Sequence, residues 1–201
     1  LLAASPSYVI VGRGSTGVLT VDAGGTLNHI AANNQISIAH ATGGRGELNL
    51  TGGTLDNTGH NVGVGGGLGT SGVGLLNLDA GVLITGFFNN TDGTNRVSFG
   101  GGTLRAATHY ASFMPSDLPV YINGAFGTFA GGATIDTAGF VITNGAPLLA
   151  PGGDGVASVE LTDGGSGYYG EPYVAISGDG FGATAVADMQ DDGSGKGTLS
   201  V

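Results

Sequence analysis

A ten-residue stretch, Gly46 to Leu55 (GELNLTGGTL), alternates apolar and polar residues, closes on a glycine pair, and recurs. Gly17 to Leu27 reads GVLTVDAGGTL, Gly74 to Leu83 reads GLLNLDAGVL, and Asn95 to Leu104 reads NRVSFGGGTL. Ala130 to Ile135, AGGATI, is a fainter copy. Aligned on the closing apolar residue, the copies fall at Leu27, Leu55, Leu83, Leu104 and Ile135, spaced by 28, 28, 21 and 31 residues. A second mark keeps nearly the same period: Val9, Ile36 and Val62 are 27 and 26 residues apart. Repetition at this period is the signature of a stacked solenoid, whose units bury their apolar faces against one another.

Each round holds about three short apolar runs with glycine-rich corners, as in Tyr8 to Val11, Val18 to Val21 and Thr26 to Ile30. That predicts an all-β fold, a right-handed parallel β-helix with three strands and about 26–28 residues per coil. Corresponding strands then stack about 4.8 Å apart. Leu19, Leu48, Leu76 and Val97 are expected in one interior column, and Val21, Leu50, Leu78 and Phe99 in a second. Thr20, Asn49, Asn77 and Ser98 would point outward. A slip of one residue would exchange the two sets, so the pattern fixes the register. Asp22, Asp56 and Asp79 fall at corners, where a carboxylate can accept nearby backbone N–H groups.

Of the 201 residues, 43 are glycine and 10% are charged, which alone would suit low complexity. The 40% of hydrophobic residues, arranged in alternation, argue instead for ordered β-structure. The net charge is −10, and the five cations, Arg13, Arg45, Arg96, Arg105 and Lys196, are scattered. Nucleic acid and anionic membrane surfaces both need clustered positive charge, so neither is an expected partner. There is no cysteine for a disulfide framework, a thiolate zinc site or a thiol nucleophile. No apolar run reaches the roughly 18 residues of a membrane span. The chain starts at Leu1 and ends at Val201 within a strand-like stretch, and is expected to be a piece of something longer.

Two domains are expected. Residues 1–150 carry the β-helix repeats, and 151–201 form an acidic, glycine-rich β-module that continues or is cut short. Within the first, Arg105 to Pro119 breaks the period and reads as an excursion from the coil, with a short helical turn or packing over the solenoid side. In the second, Val156 to Leu161, Tyr173 to Ile176, Ala183 to Asp188 and Thr198 to Val201 are strand candidates.

The runs GELNLTGGTL, VSFGGGTLRA and AGGATIDTAGFVIT, followed by PLLAPGGDGV, resemble bacterial autotransporter-associated β-strand repeat proteins. DGGSGYYGEPYVAISGDGFGATAVADM resembles a glycine-rich β-repeat found beside such passengers and in phage virion proteins. The resemblance covers nearly the whole chain. It implies a β-solenoid, export, and a place at the bacterial cell surface or in extracellular material. The C-terminal translocator barrel usual in that family is not in this sequence.

Parallel β-helices include polysaccharide lyases and hydrolases, whose paired carboxylates act on glycosidic bonds. The solenoid acids Asp22, Glu47, Asp56, Asp79, Asp92, Asp117 and Asp136 occupy different repeat positions and make no DxxD or DD pair. The histidines, His29, His40, His60 and His109, form no HxH or HxxxH pair for a metal. Ser15, Ser71 and Ser112 lack a GxSxG elbow. Gly12-Arg13-Gly14 and Gly63 to Gly69 lead into no helix, so they read as corners rather than phosphate loops. No catalytic residue and no cofactor is expected.

The C-terminal module carries the remaining candidates. Asp154, Asp163, Asp179, Asp188, Asp191 and Asp192 lie among glycines and supply oxygens of the type calcium takes, without matching a full calcium loop. Solvated acidic turns are the alternative. Tyr168, Tyr169 and Tyr173 would either stack on sugars or fill the core of a small module. The expected function is that of a non-enzymatic, secreted or surface-bound structural protein that self-associates into a fibre, matrix, surface layer or adhesin. A carbohydrate-binding adhesive module is the alternative, then a polysaccharide-degrading enzyme or a phage fibre component.

Overall fold

The computed structural model describes residues 8–30, 35–65, 72–91, 93–125, 128–152, 156, 158–172, 174, 176–178, 183, 185 and 187–200. The chain divides into two compact units, Leu1–Pro151 and Gly152–Val201. The first holds thirteen strands among its described residues. They are β1 (Tyr8–Val11), β2 (Thr16–Val21), β3 (Thr26–Asn28), β4 (Gln35–Ile38), β5 (Arg45–Val64), β6 (Gly72–Asn90) and β7 (Gly93–Phe99). They continue with β8 (Thr103–Ala106), β9 (Tyr110–Met114), β10 (Val120–Ile122), β11 (Thr134–Asp136), β12 (Ile142–Asn144) and β13 (Leu148–Leu149). Every pairing among them is parallel, and they stack into a β-solenoid of about five turns.

The long strands bend around corners. β5 pairs with β6 through 45–51, 54–57 and 61–64, with a register shift between each segment. The same three segments receive β2, β3 and β4 on the other side. One coil therefore carries three strand segments, as the repeat predicts. The apolar alternation sets the register. Leu19, Leu48, Leu76, Val97, Val120 and Leu148 are successive partners in one column. Val21, Leu50, Leu78 and Phe99 form the next, and Leu27, Leu55, Leu83, Leu104 and Ile135 line another wall. Each fully buried leucine contributes about 1.5–3 kcal/mol from area removed from water. Coil after coil repeats that gain along one axis.

Glycine is required where coils touch backbone to backbone. A Cβ on Gly46 would stand 2.3 Å from both the Ala39 nitrogen and the Val11 oxygen. The corner that follows the first segment of a coil takes a left-handed residue in three successive rounds: Gly12 (φ 77), Ala39 (φ 62) and Gly65 (φ 101).

Two expectations are corrected here. Arg105 to Pro119 is not an excursion. Tyr110–Met114 is strand β9, paired in parallel with β12, and Phe113, Met114 and Leu118 join the hydrophobic core. Phe113 meets Phe88 edge-on, with ring centroids 6.2 Å apart. The period broke there because corner loops changed length, while the inward apolar positions were kept. Asn49, Asn77 and Ser98 do alternate with the core leucines, yet they are buried rather than solvated.

The second unit is described by itself. Strands β14 (Asp188–Asp191) and β15 (Gly197–Ser200) form an antiparallel hairpin, with Asp188 opposite Ser200 and Asp191 opposite Gly197. Tyr168 bridges to Gly197 in antiparallel fashion. The described residues of Val156 to Leu161 form no strand, against expectation. That stretch has apolar residues in alternation but no strand partner to satisfy its backbone groups.

Candidate functional site

A buried polar arrangement of the solenoid grows out of the alternation in RGELN. Arg45, Glu47 and Asn49 share one side of β5, opposite Leu48 and Leu50. Glu47 is 2% exposed and accepts the Asn49 Nδ2 at 3.0 Å through Oε1. Its Oε2 lies 3.7 Å from the Arg45 guanidinium. Asn49, also 2% exposed, accepts the Asn77 Nδ2 at 2.7 Å from the next coil. Burial pushes the Glu47 carboxyl above its ordinary range, and the Asn49 hydrogen bond and Arg45 charge oppose that only in part. Farther along the same face, Arg96 donates from Nε to Ser98 Oγ at 2.7 Å and lies 4.5 Å over the Tyr121 ring. These groups bond to one another across coils, and Glu47 is shielded from solvent.

Three other solenoid acids, Asp22, Asp56 and Asp136, are turn and stacking groups. Asp22 accepts the Ala23 N–H and, at 2.7 Å, the Thr51 hydroxyl of the following coil. Asp56 accepts from the Thr58 N–H and hydroxyl. Asp136 accepts the Ala138 N–H and lies 3.4 Å from Arg105 of the preceding coil. Asp79 is the extra residue of a bulge where the pairing jumps from Leu50–Leu78 to Thr51–Ala80. Burial pushes its carboxyl up to about 6. Asp92 and Ser71 lie outside the described residues.

The histidines are also held locally. Asn57 donates to the Asn61 carbonyl at 2.9 Å, so its Oδ1 accepts from His29 Nδ1 at 3.1 Å. His60 Nδ1 donates to the Asn61 Oδ1, and His40 Nδ1 pairs with Ser37 Oγ at 3.1 Å. His109 Nδ1 accepts the Val141 N–H at 2.9 Å. Among the described residues, no three of His, Asp and Glu converge on a position for a metal. Sequence reading missed the aromatic column that joins three coils here. Phe87 stacks on Tyr110 with centroids 4.0 Å apart, and His60 tilts against Phe87 at 5.7 Å. No short motif marks it, because its members lie in three separate strands, β5, β6 and β9, and the β5–β6 register shifts between Asn57 and Asn61.

In the second unit, the carboxylates of Asp163, Asp191 and Asp192 each accept a backbone N–H two residues on, from Gly165, Gly193 and Ser194, all at 2.8 Å. Asp192 also accepts the Ser194 hydroxyl at 2.6 Å. Asp188 starts β14 and is exposed. Asp154, Asp179 and Tyr173 lie outside the described residues. Tyr168 is half-buried at its bridge, whereas Tyr169 is 81% exposed, with the Lys196 ammonium 5.0 Å from its ring centroid.

No family model, no curated protein and no solved structure matches the chain.

Proposed function

We propose that the chain is a non-enzymatic structural protein of the bacterial cell surface or extracellular matrix, self-associating into a fibre, matrix or surface layer. It would serve as part of an exported passenger of the autotransporter-associated kind it resembles. The observation that carries this reading is where the outer polar groups go. Asn77 bonds Asn49, Thr51 bonds Asp22, and Arg105 pairs with Asp136, each across neighbouring coils. These groups serve stacking, the property that a load-bearing or space-filling element needs. Parallel strand edges and low charge also suit addition of further β-structure. Light scattering of the purified chain over a concentration series tests the proposal. Assemblies that grow with concentration support it, and a strict monomer at high concentration contradicts it.

A second reading is favoured by one residue. The Tyr169 ring is too exposed to serve a core, and a cation sits beside it. An exposed aromatic with a neighbouring donor is suited to stacking on a sugar ring. A glycan array of the wild-type chain and Tyr169→Ala tests it. Loss of signal in the variant supports sugar binding, and the absence of signal in both removes it.

A further inference from the structure

The chain contains two Asn-Gly steps, Asn123-Gly124 and Asn144-Gly145. Such a step is chemically special. Glycine puts no side chain beside its own nitrogen, so that nitrogen can approach the carboxamide carbon of the preceding asparagine. The fold treats the two steps differently.

Asn144 is the last residue of β12. Its Oδ1 accepts the Ala146 N–H at 2.9 Å, and its Nδ2 donates to the Ala146 carbonyl at 3.3 Å. The Gly145 N–H is donated to the Met114 carbonyl at 2.8 Å. Both the nitrogen that would attack and the carboxamide it would attack are engaged. Asn123 instead opens the corner between β10 and β11. Its backbone is fixed by the N–H bond to Phe99 O and by the Gly132 N–H bond to its own carbonyl, both 2.8 Å. Gly124 is exposed, and a Cβ built on it would meet nothing within 4 Å.

We propose that Asn123-Gly124 is a self-modification site that deamidates in the folded protein, with water as the only co-reactant. The Gly124 nitrogen gives up its proton to solvent base and attacks Asn123 Cγ. The new N–Cγ bond forms as the Cγ–Nδ2 bond breaks, and Nδ2 leaves as ammonia. Water then opens the cyclic imide at either carbonyl, giving aspartate or isoaspartate. Either product adds a negative charge to a chain already at −10. Isoaspartate also lengthens the backbone in a tight corner, where a Cβ on Gly131 would already stand 2.4 Å from the Gly124 carbonyl carbon.

The test is peptide mapping of the full chain held at mildly alkaline pH. The Asn123 peptide gains one mass unit and isoaspartate at least about tenfold faster than the Asn144 peptide. Tenfold corresponds to about 1.4 kcal/mol of barrier, within what the hydrogen bonds at Asn144 supply. In denaturant the two rates converge. Gly124→Ala, which has room for its methyl group, slows the reaction at Asn123 without changing the fold. Equal rates at the two sites in the folded chain overturn the proposal, as does a Gly124→Ala variant that reacts like wild type.

Discussion

Asn77 donates through Nδ2 to Asn49 Oδ1 at 2.7 Å, joining residues 28 apart in sequence that are direct partners in the parallel ladder. The bond links adjacent coils outside the apolar column, and Asn49 passes it on to the buried Glu47. Removing the donor leaves a buried carbonyl oxygen short of a partner. Asn77→Ala is therefore expected to cost about 1–3 kcal/mol in urea unfolding. A double-mutant cycle with Asn49→Ala should return a coupling above about 0.5 kcal/mol. Additive losses would mean that the ladder carries no stability of its own.

Glycine substitutions separate close packing from backbone conformation. Gly46→Ala drives a methyl group into the Ala39 and Val11 backbones, and is expected to cost about 3 kcal/mol or more. Gly24→Ala has open space but a φ of 79, and is expected to cost about 1–2 kcal/mol. Thermal melting of both variants checks the order, which reverses if coil contact is looser than described.

Phe113→Ala tests the segment that the sequence pattern misplaced. Phe113 is fully buried against Phe88, so the loss is expected at about 3–5 kcal/mol. A loss below about 1 kcal/mol would restore the excursion and remove β9 from the coil.

Much of this was legible beforehand, and the limits are instructive. The repeat at Leu27, Leu55 and Leu83 gave the coil and its columns, because inward apolar positions obey a two-residue period whatever the corners do. The same rule placed Asn49 on the outer side, but burial depends on what lies over that side, which no local pattern records. Phe113 and Tyr110 were missed for a related reason: their coil differs in length, so alignment by spacing passed over them. For the acids, the turn reading of Asp22 and Asp56 followed from short-range geometry, and their hydrogen bonds follow it, whereas Asp79 is the extra residue of a bulge. For Glu47, the signal that it has partners is Arg45 and Asn49 at two-residue steps on either side of it.

Stability should fall as pH rises through the weakly acidic range. A carboxyl whose native value lies above its unfolded one binds more protons in the native state, so raising pH between the two values favours unfolding. For Asp79 that window runs from 3.8 to about 6, and the raised Glu47 carboxyl acts in the same direction from 4.5 upward. The melting temperature is expected to be higher near the bottom of the window than above it. Asp79→Asn should remove part of the slope and stabilise the chain at neutral pH by about 1 kcal/mol, allowing for the solvent that still reaches this side chain. A slope of opposite sign would contradict the burial of both groups.

Electron microscopy of the purified chain at increasing concentration tests the central claim, that the coils form a self-associating structural element, most directly. The account predicts threads or sheets that grow with concentration and diffract at about 4.8 Å, the strand spacing. Separate particles of single-chain size at every concentration would contradict it.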